Sequence, residues 1–282
     1  MPETGKTGDD ADINNDLELE ALLDKVFSDR NFDFRDYKKA SVKRRIRKRM
    51  DVNHISSYIE YAEFLQSHPG EYLRLFNTLL INVTEFFRDP EAWKIIEKDV
   101  LPDILSKKRK GDCIRVWSAA CSSGEEPFTI GILLAEALGS EFDDFEIRIY
   151  ATDIDDDVLV LARKGIYAAE KLSMIGPEIL RNYFMVEDNE YRISRSIRQM
   201  VSFGRQDLTM DAPISQLDLL ICRNVLMYFN SNLQNRLMHR FDFAVRDGGY
   251  IFLGKSEGTL IGSKLFRTVD NKWKIYQKNT GR

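Results

Sequence analysis

Three stretches of this chain gather side chains that could handle a small polar ligand. The first, IRVWSAACSSGEEP at 114–127, passes from a β-branched and aromatic run (Ile114, Val116, Trp117) to small residues, one glycine, two acids and a proline. An apolar stretch, FTIGILLAEAL, follows. Strand, tight loop and helix start, in that order, form the place where α/β sheets hold nucleotide-like cofactors. Serines and glycine let a ligand approach the backbone, and Pro127 suits a first helical turn. Glu125 and Glu126 would repel a phosphate, so a ligand bearing hydroxyls or positive charge fits better; the plainer alternative is an ordinary strand-to-helix turn. In the second stretch, ATDID, Asp153 stands just past the next core strand, where an acid accepts hydrogen bonds from ribose hydroxyls. Asp155 suits the helix N-cap, which leaves Asp153 for the ligand. In the third, Arg223 and Asn224 close the strand LDLLIC, with Tyr228 one turn later. Open sheets place their chemistry at such strand ends. Asn224 could instead cap a helix, and Tyr228 could be core.

The elements that position these residues alternate. Strand 113–119 leads to helix 127–138, stopped by Gly139; strand 145–151 leads to helix 156–164; strand 217–222 leads to helix 231–245. Strand 249–254 and a pair at 265–269 and 273–276, split by the turn Asp270-Asn271-Lys272, close the chain. The alternation predicts an open, mostly parallel sheet with helices on both faces and a closing antiparallel hairpin. Residues 165–203 read as a small antiparallel insert with strands at 191–193 and 197–203.

Ahead of this, residues 17–80 are helical in pattern. Leu19, Leu22, Leu23 and Val26 share one helical face. On the next helix, 36–50, Val42, Ile46 and Met50 form the buried stripe, with Arg44, Arg47 and Lys48 opposite. Residues 35–49 hold nine Lys or Arg against one Asp, in a chain whose net charge is −4. The acids that would balance a merely solvated face are missing, so an anionic partner is expected here. Asn82, Thr84 and Arg88 follow in a non-periodic segment beside two phenylalanines. Asp89, Pro90 and Glu91 then read as a helix start, with the Asp89 side chain as cap. That helix should run to about Ser106, with Pro102 bending its end and 107–110 as a charged linker.

Composition excludes several classes. Hydrophobic content of 43% and charged content of 30% are those of a globular chain. No apolar run approaches a transmembrane length. The polar, acidic start reads as a disordered lead-in over 1–16 rather than a signal or transit peptide, so a cytoplasmic protein is expected. Three cysteines and three histidines show no disulfide or metal spacing, and no metal is expected. DIDDDVLVLARK begins like a calcium loop but has Val158 and Lys164 where glycine and glutamate are required. GKSEG, 254–258, resembles a nucleophile elbow, yet no histidine follows His239. SAACSSGEEP has one glycine, so neither a dinucleotide fingerprint nor a P-loop is present.

Taken together, YKKASVKRRIRKRM, LLINVTEFFRDP, VWSAACSSGEEPFTI, ATDID, ARKGIY, YFM, ICRNVLMYF and GKSE, in this order over about 32–277, resemble the CheR-type chemotaxis methyltransferases. The resemblance implies an α/β fold: a Rossmann-like S-adenosylmethionine-dependent methyltransferase domain at 113–282, carrying the antiparallel insert at 165–203. An α-helical substrate-recognition domain at 17–88 would precede it, with a connecting helix and linker at 89–112. It implies transfer of a methyl group from S-adenosylmethionine to chemoreceptor glutamates, giving glutamate 5-O-methyl esters and S-adenosylhomocysteine. Cofactor contacts then fall on Asn82, Thr84, Arg88, Glu126, Asp153, Asp207, Leu208, Arg223 and Asn224. Arg88, Arg223 and Tyr228 would border the transferred methyl, and Arg44, Arg47 and Lys48 would meet the acidic methylation helix of the receptor. Asp207-Leu208 replaces the family's frequent Asn-Leu; an Asp can still accept from an adenine amino group. The insert has no glycine in its loop, which weighs against tethering by a receptor's C-terminal pentapeptide. A monomer is expected, with neither nucleic acid nor membrane insertion.

The chemistry agrees with this reading. A glutamate side chain is ionised at pH 7 and needs no base, so the missing catalytic His or Cys is no defect. The protein's part is to align oxygen, methyl and sulfur and to exclude water. A nucleic-acid methyltransferase is disfavoured, because Arg-Asn-Val-Leu stands where nitrogen methylation uses (Asp/Asn)-Pro-Pro-aromatic. A catalytically silent cofactor-binding module is the remaining alternative, and retention of Arg88, Arg223 and Tyr228 argues against it.

Overall fold

The computed structural model describes residues 8–30, 32–80, 82–187, 189–258 and 265–280. The chain divides into two units, one of residues up to 81 with Tyr228–Leu233, the other of Asn82–Met227 with Gln234 onward.

The first unit is helical: α1 (Gly8–Arg30), α2 (Lys39–Val52), α3 (Tyr58–Ser67) and α4 (Pro69–Leu79). α1 begins ahead of the expected start at Leu17, so the lead-in expected over 1–16 is helical from Gly8; residues 1–7 lie outside the described residues. The predicted stripes are the core: Leu19, Leu22, Leu23 and Val26 of α1 and Val42, Ile46 and Met50 of α2 are all buried. Arg45 is also buried, against expectation for a basic run. It donates to the Leu79 carbonyl at 2.5 Å, and its guanidinium lies over the Tyr228 ring at 4.9 Å. The polar knot of the unit is Glu71, 2% exposed. It accepts two bonds of 2.8 Å from Arg49, one of 2.9 Å from Tyr61 and one of 3.1 Å from Asn53. Burial alone would raise the Glu71 pKa, but the Arg49 and Tyr61 bonds hold it below the usual carboxylate value.

The second unit opens with α5 (Pro90–Ile95) and α6 (Leu101–Ser106), joined through a π turn at Ile96–Val100. Pro102 has no N–H to give the preceding turn, and the ladder widens just before it. Trp93, Ile96, Val100, Leu101 and Ile104 enter the main core. The expected connector at 89–112 is therefore a packed element. The expected boundary at 88 also shifts, because Asn82–Arg88 belong to this unit; Phe86 is fully buried in its core.

A seven-stranded sheet follows in the order β6-β2-β1-β7-β8-β10-β9. Its strands are β1 (Cys113–Ala119), β2 (Glu146–Asp153), β6 (Val201–Arg205), β7 (Leu217–Ile221), β8 (Val245–Phe252), β9 (Phe266–Asp270) and β10 (Ile275–Lys278). The first five run parallel, and β10 pairs antiparallel with β8 and β9. α7 (Glu125–Leu138), α8 (Asp156–Lys164) and α11 (Ser231–Ala244) make the crossovers. Strand order steps outward from β1 to β2 and β6, then back to β7, so the direction reverses between β1 and β7. A ligand crevice belongs at that switch.

The insert holds β3 (Ile166–Ala168), β5 (Glu190–Ile193) and β4 (Phe184–Glu187), an antiparallel sheet in that order, with α9 (Pro177–Tyr183). The strand expected at 197–203 divides instead. Arg195–Met200 is helix α10, and Val201–Arg205 is β6, an edge strand of the large sheet. Ile197 and Met200 lie three apart and are both buried, a helical spacing, before the alternation of β6 begins. No helix among the described residues is long and apolar enough to cross a membrane.

Glu71→Ala should destabilise the chain by about 3 kcal/mol in chemical denaturation, because it strands the partly buried Arg49 guanidinium and unpairs the buried Tyr61 hydroxyl. The Glu71 pKa is lower folded than unfolded, so its contribution is complete above the ordinary carboxylate pKa. It fades as pH falls through the native value. The gap between wild type and variant should therefore narrow in acid; a gap independent of pH would refute the assignment.

Candidate active site

The loop after β1 is bent in an unusual way. Ala120 (φ 59°), Ser122 (φ 50°) and Gly124 (φ 94°) all occupy the left-handed region, two of them without being glycine. Gly124 is also confined sterically, since a Cβ there would sit 3.0 Å from Ala162 Cβ and 3.1 Å from the Tyr167 hydroxyl. The bend is held from outside. Cys121 N donates to Thr152 O (2.9 Å), Ser122 N to Asp153 Oδ2 (2.8 Å), and the Tyr167 hydroxyl to Ser123 O (2.9 Å).

Glu125, unassigned from sequence, is fully buried. It accepts from the Ser123 hydroxyl at 2.7 Å and pairs with Lys171 of the insert at 3.1 Å. Lys171 also donates to Thr84 O at 2.9 Å. One lysine thereby ties the cofactor loop to the NVTEFF segment. Glu126 instead faces the crevice. Its Oε1 accepts from the Ser118 hydroxyl at 2.7 Å, and its Oε2 lies 4.0 Å from Arg223. Burial raises the Glu126 pKa, against the pull of Arg223, Ser118 and Arg88.

Asp153 is the last residue of β2 rather than the residue beyond it. Its Oδ1 accepts from Asp155 N at 3.0 Å and its Oδ2 from Ser122 N at 2.8 Å, and each oxygen keeps a lone pair for a ligand hydroxyl. Burial raises its pKa while those amides oppose the rise. Asp155 caps α8 as expected, accepting from Asp157 N at 2.9 Å. It also takes the Asn82 amide at 2.7 Å, which brings Asn82 to the Asp153 end of the crevice. Asp207 turns into its own loop, where Oδ1 accepts from Thr209 N and Oγ1 at 2.7 Å each. Leu208 follows it past the end of β6.

Arg223, beyond β7, is the centre of the other half. Its side chain is 2% exposed, packed over the rings of Phe252 (4.5 Å) and Trp93 (5.5 Å). Nη2 bonds Asp89 at 2.6 Å. Burial lowers the Arg223 pKa, and Glu126, Asp89 and Glu257 push it back up. Asp89 is therefore not the side-chain cap that its sequence suggests. It starts α5 at φ 59° with no capping bond, and Phe87 shares that left-handed geometry at φ 53°. The carboxylate serves Arg223 instead. Arg88, between them, is bound through Nη1 to Val83 O at 2.9 Å and is less enclosed than Arg223. Asn224 takes φ 60°, which asparagine tolerates better than most residues. Tyr228 packs with the helical unit, where Lys38 N donates to its carbonyl at 2.8 Å.

Sequence reasoning missed Glu257, hidden in the GKSEG motif. It is 5% exposed, and among the described residues neither carboxylate oxygen has a hydrogen-bond partner of good geometry. A Cβ on Gly254 would meet Glu257 Oε2 at 3.2 Å and Arg223 Nε at 3.5 Å, so the acid and the arginine flank one glycine. Among the described residues, Arg223 Nε, Ser122 Oγ and Gln206 Oε1 are likewise buried and unpartnered. Unsatisfied donors and acceptors past the carboxyl ends of β1, β6, β7 and β8 are what a polar, hydroxyl-bearing and partly cationic ligand would satisfy. The site residues fit S-adenosylmethionine: acids for its ammonium and ribose, and no phosphate cradle. Among the described residues, no group of three or more His, Cys, Asp or Glu could hold a metal ion.

Burial pushes the Glu257 pKa up to about 8, against the Val225 amide, the Arg223 charge and the Asn224 amide. A carboxyl whose pKa is raised on folding binds its proton more tightly in the native state. Its cost therefore appears as pH rises from the unfolded value near ~4.3 and is complete above the native one. Glu257→Gln should match wild type in thermal stability near pH 4, gain on it as pH rises towards 8, and hold a constant advantage from there to pH 9. A variant with no advantage at pH 9 would show that Glu257 is ionised and paired.

The family description "CheR methyltransferase, SAM binding domain" matches residues 82–275, and "CheR methyltransferase, all-alpha domain" matches 17–80. A chemotaxis protein methyltransferase of Borreliella burgdorferi is 31% identical over 255 residues, covering 88% of this chain and 89% of that protein. Chemotaxis protein methyltransferase 2 of Pseudomonas aeruginosa is 36% identical over 232 residues, covering 80% of each. An uncharacterised 104.1 kDa protein of Rhodobacter capsulatus is 34% identical over 86% of this chain, which spans 26% of that longer protein. Both domain matches meet at the boundary between the two structural units, and the chain belongs to the CheR methyltransferase family.

Proposed function

We propose that this chain is a chemotaxis protein methyltransferase that transfers a methyl group from S-adenosylmethionine to glutamate side chains of chemoreceptors, releasing S-adenosylhomocysteine. The observation that carries the reading is the buried Arg223, held by Asp89 and faced by Glu126, at the carboxyl ends of the strands beside the switch point. When bound, the cofactor supplies a sulfonium-activated methyl. The residues of the chain do the rest. Glu126 receives the cofactor's ammonium end, Asp153 its ribose hydroxyls, and the Asp207-Leu208 loop its adenine. Asn82 and Thr84 close the segment over it, and Asn224 lines the strand end.

The two arginines divide the work. Arg223 is committed to Asp89 and enclosed by rings, so it serves as a fixed charge that keeps the acids of the pocket in place. Arg88, bound among the described residues to a backbone carbonyl alone, is the freer group to meet an incoming glutamate carboxylate. A paired hydrogen bond from a guanidinium would orient that carboxylate without a base. Tyr228 would flank the methyl. On α2, Arg44, Arg47 and Lys48 are exposed and form no ion pair with described residues, so they suit an acidic receptor helix.

Transfer of labelled methyl to receptor membranes, read as base-labile ester, tests the activity. Arg88→Ala should lower kcat/KM for receptor about 100-fold while the Kd for S-adenosylhomocysteine changes little. Arg223→Ala should abolish transfer and also weaken cofactor binding, since it unpairs Asp89 and Glu126. Normal turnover in either variant would remove that residue from the mechanism. Reversing Arg44, Arg47 and Lys48 to Glu should raise the receptor KM roughly tenfold and flatten its salt dependence, with kcat nearly constant. An unchanged KM would place the receptor elsewhere.

A further inference from the structure

A second concave site lies in the methyltransferase unit, away from the crevice. It is a cleft of about 470 Å3 beside the start of β6, lined by Arg163 of α8, Arg195 and Arg198 of α10, Phe128 of α7, and Val201 and Phe203 of β6. The cofactor residues lie past the other end of the same strand, at Asp207. The cleft has a built geometry. Gly165, in the left-handed region at φ 61°, ends α8 and lets it close on α10. A Cβ there would come 2.7 Å from Ile193 and 3.5 Å from Arg198 Cδ. Phe128 and Phe203 meet edge to face at 5.6 Å and form the apolar wall.

The charge is what stands out. No carboxylate among the described residues pairs with Arg163, Arg195 or Arg198; Arg163 has a long 3.4 Å contact to the Phe203 carbonyl. Other cations of the same unit are paired. Arg205 of β6 pairs with Asp156 at 3.5 Å, Lys110 with Asp144 at 2.7 Å, and Lys171 with Glu125 at 3.1 Å. In a chain with net charge −4, three guanidinia facing one cleft without an acid leave a local positive field that an anion would relieve.

We propose that this cleft is a binding site for a nucleotide. Guanidinium forks suit phosphate oxygens, and the apolar wall of Phe128, Phe203 and Val201 suits a flat base. The volume is that of a ligand site and exceeds what a lone phosphate fills. This site is independent of the methyl-transfer reading, and neither depends on the other.

The test titrates fluorescent methylanthraniloyl-GTP and -ATP into the full chain with the cofactor crevice saturated by S-adenosylhomocysteine. Micromolar binding is expected, weakened at least about tenfold by Arg195→Ala/Arg198→Ala, with thermal stability and S-adenosylhomocysteine affinity unchanged. Arg163→Gln, a milder surface change, should weaken it in the same direction. Tripolyphosphate and adenosine should each compete more weakly than the intact nucleotide. Lack of binding at millimolar nucleotide, or binding indifferent to all three arginines, overturns the site. Tripolyphosphate competing as well as nucleotide, or an oligoglutamate peptide binding more tightly, overturns the nucleotide assignment in favour of a simple anion or an acidic peptide.

Discussion

Taking one guanidinium out of water determines much of what surrounds it. Arg223 sits at the end of a strand buried on both faces, so its charge must be met by acids within the protein. Asp89 meets it directly, and it can do so only because the chain enters α5 through two left-handed residues rather than through an ordinary capped start. The forfeited cap and the strained backbone are local costs that the Arg223 pair offsets. Glu126 and Glu257 approach the same group from two other elements without bonding it fully. The result is a pocket in which one enclosed guanidinium is approached by three acids and bonded directly by one.

The opposite half of the crevice works through tethering. The loop after β1 adopts three left-handed residues within five positions, a conformation it would not hold alone. β2 fixes it through Thr152 and Asp153, the insert fixes it through Tyr167 and Lys171, and α8 leaves room only for glycine at 124. The insert is thus more than an appendage. Through Lys171 it links Glu125 to the Thr84 carbonyl, so the segment bearing Asn82, Thr84 and Arg88 and the loop bearing Glu126 share one anchor.

Much of this frame was legible in the residues. Period and punctuation gave β1, α7, α8 and the parallel sheet, since each has a long apolar pattern with a glycine or Asx signal at its end. The division of 195–205 into a helix and an edge strand was not, because six helical residues carry too few turns to outweigh a following alternation. Within the site, the strand-end residues Asp153 and Arg223 could be picked out by position. Asp89 reads locally as a cap, and Glu125 and Glu257 carry no local signal, because their roles depend on groups 134, 46 and 34 residues distant in sequence, a separation no local pattern records. Glu257 was further disguised by a motif belonging to another chemistry.

The basic run at 35–49 shows the same limit from the other side. As sequence it is a single patch of nine cations. Folded, it is two populations. Arg45 and Arg49 turn inward to Leu79 and Glu71, while Lys39 and Lys43 are taken by Glu20 and Asp16 of α1. Those charges hold the helices together, and a partner would have to break existing pairs to reach them. Arg35 is likewise taken, by Asp24 and Asp33. Lys38, just ahead of α2, and Arg44, Arg47 and Lys48 on one exposed face of it are the cations that form no ion pair with described residues. Folding therefore reduces the patch that the sequence suggests to a narrow stripe of unpaired charge along one helix, because most of the run is spent on contacts within the chain.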